Sequence, residues 1–129
     1  MQEKFIVEII TPDRSLLKSE ASEVIIPSYE GEMGILKDHI PLITFLRPGL
    51  ITIKSDKVQK FYAEEGTVEF SKNNLLILTT TVKTIDDIEA TFIEKSIKSA
   101  EENMDKSDLS DKDKYLLSYK IGTLKELRK

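Results

Sequence analysis

The 129-residue sequence predicts a mainly β fold with a C-terminal α-hairpin: an antiparallel β-sandwich followed by two antiparallel helices. Short runs rich in β-branched residues, broken by turn residues, extend from Phe5 to Thr81 and read as strands of a sandwich or barrel. Beyond Thr84 the apolar residues recur at helical spacing, through Ile88, Phe92, Ile93, Ile97, Ala100 and Met104. Two Ser/Thr-x-x-acid sequences, Thr84-Ile85-Asp86-Asp87 and Ser110-Asp111-Lys112-Asp113, have the form that caps a helix start. The change of pattern divides the chain into a sandwich over residues 1–84 and a helical hairpin over residues 85–129.

Taken in order, the predicted strands are Phe5–Ile10, Ser15–Lys18, Glu23–Ser28, Leu42–Leu46, Leu50–Ser55, Lys57–Ala63, Thr67–Ser71 and Leu75–Thr80. Thr11-Pro12-Asp13 sets a proline at a turn corner, while Ser55-Asp56-Lys57 and Lys72-Asn73-Asn74 are short polar hairpin links. Gly66 follows Glu64-Glu65 where a strand is expected to bulge. Connections this short favour neighbouring antiparallel strands. A first helix is expected from about Asp86 to Asn103, a polar link over Asp105 to Leu109, and a second helix bearing Leu116, Leu117, Ile121, Leu124 and Leu127. A short link between amphipathic helices predicts an antiparallel pair with facing apolar stripes. Gly122 lies inside the second helix, where glycine costs up to ~1 kcal/mol relative to alanine. Close packing against Phe92 or Ile97 is its expected reason, with bending of the helix as the alternative.

Composition excludes several functions. With no cysteine and one histidine, the chain has neither a disulfide framework nor a thiolate or His-rich metal centre. The net charge of −4 is not the basic footprint of a nucleic-acid binder. Met1-Gln2-Glu3-Lys4-Phe5 lacks the features of a signal peptide, and no apolar run approaches the ~18 residues of a membrane span, so a soluble, unexported chain is expected. Charge is unevenly distributed: residues 1–84 carry −2, residues 85–113 carry −6 and residues 114–129 carry +4. An acidic segment followed by a basic tail implies pairing between the two, or a basic end for an acidic partner. In the last helix Lys114, Lys120, Lys125, Arg128 and Lys129 form that basic end, with Tyr115 and Tyr119 one turn apart.

The richest stretch for function runs from Glu30 to Ile43 and is closed by Pro48-Gly49. Gly31 and Gly34 are expected to take positive φ, and Pro41 fixes φ and removes a donor, so two sharp turns are predicted. His39 has no second histidine, cysteine or nucleophile-elbow serine to work with, and its setting favours a turn-bonding side chain at a subunit contact. Glu30 and Glu32 flank Gly31 as a solvated turn; neither a calcium loop nor a glycosidase pair is specified. Gly31-Glu32-Met33-Gly34 is not a phosphate-cradling sequence.

In order and spacing, Gly31-Glu32-Met33-Gly34-Ile35, His39-Ile40-Pro41-Leu42 and Pro48-Gly49 resemble the N-terminal domain of epsilon subunits of F-type ATP synthases. The resemblance implies a non-catalytic central-stalk subunit coupling the c-ring to gamma during proton-driven ATP synthesis. It implies that Glu30, Gly31, Glu32, Met33 and Gly34 meet the c-ring and that His39, Pro41 and Leu42 shape the stalk-facing region. It also implies a C-terminal hairpin that either folds on the sandwich or extends along gamma toward the alpha and beta subunits and blocks ATP hydrolysis, with Lys114, Tyr115, Tyr119, Lys120, Lys125 and Arg128 as regulatory contacts. Some family members bind ATP through Leu/Ile-Asp-x-x-Arg-Ala at the first helix. Here Ile88-Glu89-Ala90-Thr91-Phe92-Ile93 puts Phe92 at the arginine position and Glu89 at the aspartate, and no cofactor is expected. Glu65-Gly66 and Thr79-Thr80-Thr81 also depart from the Gly-Gly and Ala-Asp-Thr common in the family. The implied location is the cytoplasmic face of a bacterial plasma membrane, peripheral and held through the complex, with an organelle-encoded protein as runner-up. Two other classes fit the residues without the resemblance: a free-standing β-sandwich binding module with a helical lid, and a small hydrolase using Glu30 or Glu32.

Overall fold

Phe5, Val7 and Ile9 alternate with Ile6, Glu8 and Ile10, and this period of two sends the first set into the core as β1 (Phe5–Ile10). The computed structural model describes residues 3–128. The same alternation builds β2 (Ser15–Ala21), β3 (Glu23–Ser28), β4 (Gly31–Leu36), β5 (Leu42–Leu46), β6 (Gly49–Lys54), β7 (Val58–Ala63), β8 (Gly66–Ser71), β9 (Asn74–Thr79) and the short β10 (Val82–Thr84). They form one curled sheet in the order β10-β7-β6-β3-β5-β8-β9-β1-β2, with β4 beside β3. Strand β3 meets β5 at a single pair, Ser28 with Leu46, and there the sheet folds into two layers. One layer holds β4, β3, β6, β7 and β10, the other β5, β8, β9, β1 and β2. Val24, Ile26, Ile51, Ile53 and Phe61 from the first layer bury against Phe5, Val7, Ile9, Val68, Phe70 and Ile77 from the second. Every pairing is antiparallel except β1 with β9, which run parallel.

The predicted sandwich is therefore present, with three local corrections. Residues 31–36, expected as loop, are strand β4, hydrogen-bonded along the whole of β3; the motif's glycines masked the alternation of half-buried Met33 and buried Ile35 with exposed Glu32, Gly34 and Leu36. Gly31 does take positive φ, at 124°, but Gly34 is ordinary strand, and the second turn is made by Asp38 at φ 66°. Gly66 opens β8 without a bulge: a Cβ there would collide with the Leu78 carbonyl oxygen, so close approach to β9 is what demands glycine. The irregular pairing lies instead between Ile9 and Ile10. The polar link at Lys72 and Asn73 forms as expected, both residues left-handed at φ 51° and 60°, which suits a tight two-residue hairpin.

Two helices follow, α1 (Ala90–Met104) and α2 (Asp111–Leu127). The expected capping box at Thr84 is absent: Thr84 is the last paired residue of β10, opposite Phe61, and its extended backbone leads into a 3-10 turn over Ile85–Asp87. Helix α1 consequently starts at Ala90 with no side-chain cap. The Ser110 box is real, with the Asp113 amide donating to Ser110 Oγ at 3.0 Å and the Ser110 amide to Asp113 Oδ2 at 3.4 Å. The helices lie on the outer face of β6 and β7, where Ile93, Ile97 and Leu124 bury Tyr62, with Leu50 and Phe92 around them. Gly122 packs against nothing: it is exposed, and a Cβ there meets open space, so the expected contact with Phe92 or Ile97 does not exist.

These environments make two glycines behave oppositely. Gly66→Ala should lower stability by about 1–3 kcal/mol through overpacking against β9. Gly122→Ala should raise it by up to ~1 kcal/mol by restoring helix propensity. Urea unfolding midpoints measure both.

Candidate interaction surfaces

Strand β4 carries the family motif from one end of the sandwich to the other, and so divides the residues that the sequence groups together. Ser28-Tyr29-Glu30-Gly31 forms the β3–β4 turn, closed by the Ser28 hydroxyl donating to the Gly31 carbonyl at 2.6 Å. Glu30 and Glu32 are exposed, Met33 packs against the core from the edge, and Gly34 faces solvent. His39, Pro41 and Leu42 lie past the other end of β4, about six residues or ~20 Å of strand away. There Asp38 and Asn73 clasp two loops: the Asp38 amide donates to Asn73 Oδ1 at 2.7 Å, and Asn73 Nδ2 donates to Asp38 Oδ1 at 3.0 Å. His39 sits edge-on to Phe70, with Nδ1 2.7 Å from the Ile40 carbonyl oxygen, so this nitrogen carries the proton. Pro41 is exposed, and Leu42 packs beside the core opposite Phe70.

The layer not covered by helices has an apolar outer face. Pairing aligns Phe45, Thr67, Leu78 and Ile10 in one row across β5, β8, β9 and β1, with Ile43, Glu69, Leu76 and Glu8 in the next. Ile43 and Phe45 are 76% and 57% exposed, and Ile40 beside them is 74% exposed. So many bare aliphatic and aromatic side chains mark a docking face. In the sequence, the strand-like run Leu42 to Leu46 reads only as structure. Its period of two signals that Ile43 and Phe45 share a face, but no local pattern says whether that face is covered.

In the basic tail, three cations are matched within the chain. Lys120 Nζ lies 3.4 Å from Glu64, Lys125 3.5 Å from Glu101 and Arg128 3.6 Å from Glu94, whereas Lys114 has no ion pair among the described residues. Lys129 lies outside the described residues. The pairing of acidic segment and basic tail is thus the internal one for the α1–α2 bridges. Glu64 also accepts from the Tyr62 hydroxyl at 2.9 Å. Burial, reinforced by the Glu64 charge and hydrogen bond, pushes the Tyr62 phenol far above its ordinary range, so it remains a donor. Tyr115 and Tyr119 turn toward the sandwich: the Tyr115 hydroxyl donates to the Tyr29 carbonyl, and the Arg47 guanidinium lies 3.7 Å from the Tyr119 ring centroid.

No three His, Cys, Asp or Glu side chains among the described residues are grouped to hold a metal, and no described helix is long and apolar enough to cross a membrane. Exposed rows of apolar side chains and a glycine-bearing turn, with a hairpin laid over one layer, define a docking subunit. A family model described as the ATP synthase, Delta/Epsilon chain, beta-sandwich domain matches residues 4–85. The ATP synthase epsilon chain of Pelagibacter ubique is 47% identical over 129 residues, covering 98% of this chain and 99% of that one. That of Parvibaculum lavamentivorans is 31% identical over 130 residues, covering 99% and 98%. Among solved structures, a chain of the Euglena gracilis mitochondrial ATP synthase OSCP/F1/c-ring assembly superposes with a TM-score of 0.74 at 18% identity, over 96% of this chain and 79% of that one. One from the central stalk and c-ring of Tetrahymena thermophila mitochondrial ATP synthase gives 0.64 at 15%, over 99% and 98%. The chain belongs to the ATP synthase delta/epsilon family, and is a non-catalytic subunit of that enzyme.

The apolar cluster, not the ion pairs, should dominate hairpin docking. Lys125→Ala and Arg128→Ala should each change stability by less than ~1 kcal/mol, as exposed pairs do. Leu124→Ala should cost about 2–5 kcal/mol. Denaturant titrations of the three variants test the ranking.

Proposed function

We propose that the chain is a rotor element of the central stalk, joining gamma to the c-ring during proton-driven ATP synthesis, with residues 1–84 as the docking unit and residues 85–129 as a regulatory hairpin. The observation that carries the proposal is the bare apolar layer, on a chain that matches an epsilon chain over nearly its full length. Gamma docks on the rows containing Ile10, Ile43, Phe45 and Leu78. The loop of His39, Pro41 and Leu42 extends this surface through Ile40. Exposed Glu30 and Glu32 with half-buried Gly31 between them, and Met33 and Gly34 behind them on β4, form the polar contact to the c-ring. The solved assemblies that the fold resembles contain a c-ring, and the chain's bacterial relatives support a peripheral position on the cytoplasmic side of the plasma membrane, held through the complex.

In the regulatory role, α1 and α2 leave β6 and β7 and extend toward the alpha and beta subunits, where Lys114, Tyr115, Tyr119, Lys120, Lys125 and Arg128 make the inhibitory contacts. An amphipathic hairpin can exchange one apolar docking surface for another, so a modest bias shifts its population.

Co-purification with a matching gamma subunit tests the proposal. A one-to-one complex on size exclusion is expected, and Phe45→Asp with Leu78→Glu should weaken it at least about 100-fold by burying unpaired charge. Separate elution of two folded partners at micromolar concentration would overturn the stalk assignment in favour of a free-standing binding module. Truncation after Thr84 should raise ATP hydrolysis by the assembled enzyme; unchanged hydrolysis would confine the hairpin to structure.

A further inference from the structure

We infer that Arg47 and Tyr29 couple the β3–β4 turn to the docked hairpin, so that release of α2 loosens the turn and a partner held on the turn favours docked α2. Both residues face two ways. Arg47 Nε donates to the Ser28 carbonyl at 2.9 Å while its guanidinium covers the Tyr119 ring. Tyr29 receives the Tyr115 hydroxyl on its carbonyl, and its ring packs 5.8 Å from Tyr115 and 6.0 Å from Phe45. Tyr115 and Tyr119 are themselves edge to face at 4.9 Å. A continuous aromatic chain therefore runs from Phe45, on the bare apolar face, through Tyr29 to α2.

The turn has few other anchors. The Tyr29 amide donates to the Phe45 carbonyl at 3.0 Å, the Arg47 amide to the Pro27 carbonyl at 2.9 Å, and the Ser28 hydroxyl closes the turn on Gly31. Undocking α2 removes one hydrogen bond and one cation–π stack from this set and frees the Arg47 side chain to leave Ser28. Glu30 and Gly31 then hold their positions less firmly. Linkage requires the reverse as well: whatever rigidifies Glu30 and Gly31 raises the docking equilibrium constant of the hairpin by the same factor. The consequence for the enzyme rests on the proposed contact of this turn with the c-ring, under which ring contact and hairpin state are read by the same two side chains.

The test uses the full chain and needs no partner. Leu124→Ala loosens α2 at a point about nine residues, or ~13 Å of helix, from Tyr115, and so leaves the turn's own contacts chemically intact. Amide hydrogen exchange resolved by residue should show α2 exchanging at least about tenfold faster and the Tyr29 and Arg47 amides accelerated about fivefold, while Val7 and Ile77, which open only on global unfolding, remain the most protected. Tyr115→Phe with Arg47→Lys, which removes the hydroxyl bond to Tyr29 and the Nε bond to Ser28 and spares the apolar cluster, should accelerate the turn and α2 together. Faster exchange in α2 with Tyr29 and Arg47 unchanged in both variants would overturn the coupling. Retention of Leu124→Ala on the purified c-ring with gamma separates the two ideas: reduced retention supports the coupled contact, while accelerated Tyr29 exchange with undiminished retention keeps the coupling and overturns the reading of the turn as the ring contact.

Discussion

A sandwich of two layers has one shared core and two outer faces, and the burial of Tyr62 decides how this molecule uses them. Tyr62 points outward from β7, opposite the core residues Phe61 and Ala63, yet is fully covered. Its cover is supplied by Ile93, Ile97 and Leu124, so the outer face of β6 and β7 is complete only when the hairpin is docked. The other outer face, bearing Ile43, Phe45 and Leu78, has no such cover among the described residues. One apolar face is covered by the chain's own hairpin, and the other is the face proposed for a separate subunit.

That asymmetry accounts for the polarity of the helices. Helix α2 meets the sandwich through apolar and aromatic side chains, and its cations are drawn onto Glu64, Glu101 and Glu94 at the rim. The rim pairs are exposed or half-exposed and weak individually, so they orient the hairpin more than they hold it. Because Tyr62, Glu64 and Lys120 form a connected polar set beside the apolar cluster, the register of α2 on β7 is specified without an unpaired buried group. An element held by a modest cluster and a few rim pairs is suited to exchange between two positions.

Much of this was legible in the residues themselves. The period-two runs located eight of the ten strands, and the Ser110 box marked where α2 begins. Strand β4 was hidden because its two glycines read as turn punctuation, although Gly34 lies flat in the sheet and only Gly31 uses glycine's freedom. The start of α1 was misplaced because Thr84 was claimed by β10, a tertiary pairing that outcompetes a local cap. Gly122 suggested a close contact that does not exist. Glu30 and His39, close in the chain, lie at opposite ends of the sandwich because a six-residue strand runs between them, a separation that no turn residue announces.

Local chemistry, then, determined the elements: alternation, turn residues and a capping box are decided within a few residues of chain, and the glycine, histidine and proline spacing carried the family with them. Only the tertiary structure decided which apolar face the hairpin covers, which is left bare, and that Arg47 and Tyr29 meet α2 some seventy to ninety residues later in the chain. The physical reason is that an amphipathic pattern states that a face must be buried but not against what; the partner is chosen by sheet curvature and by the side chains that the fold brings alongside.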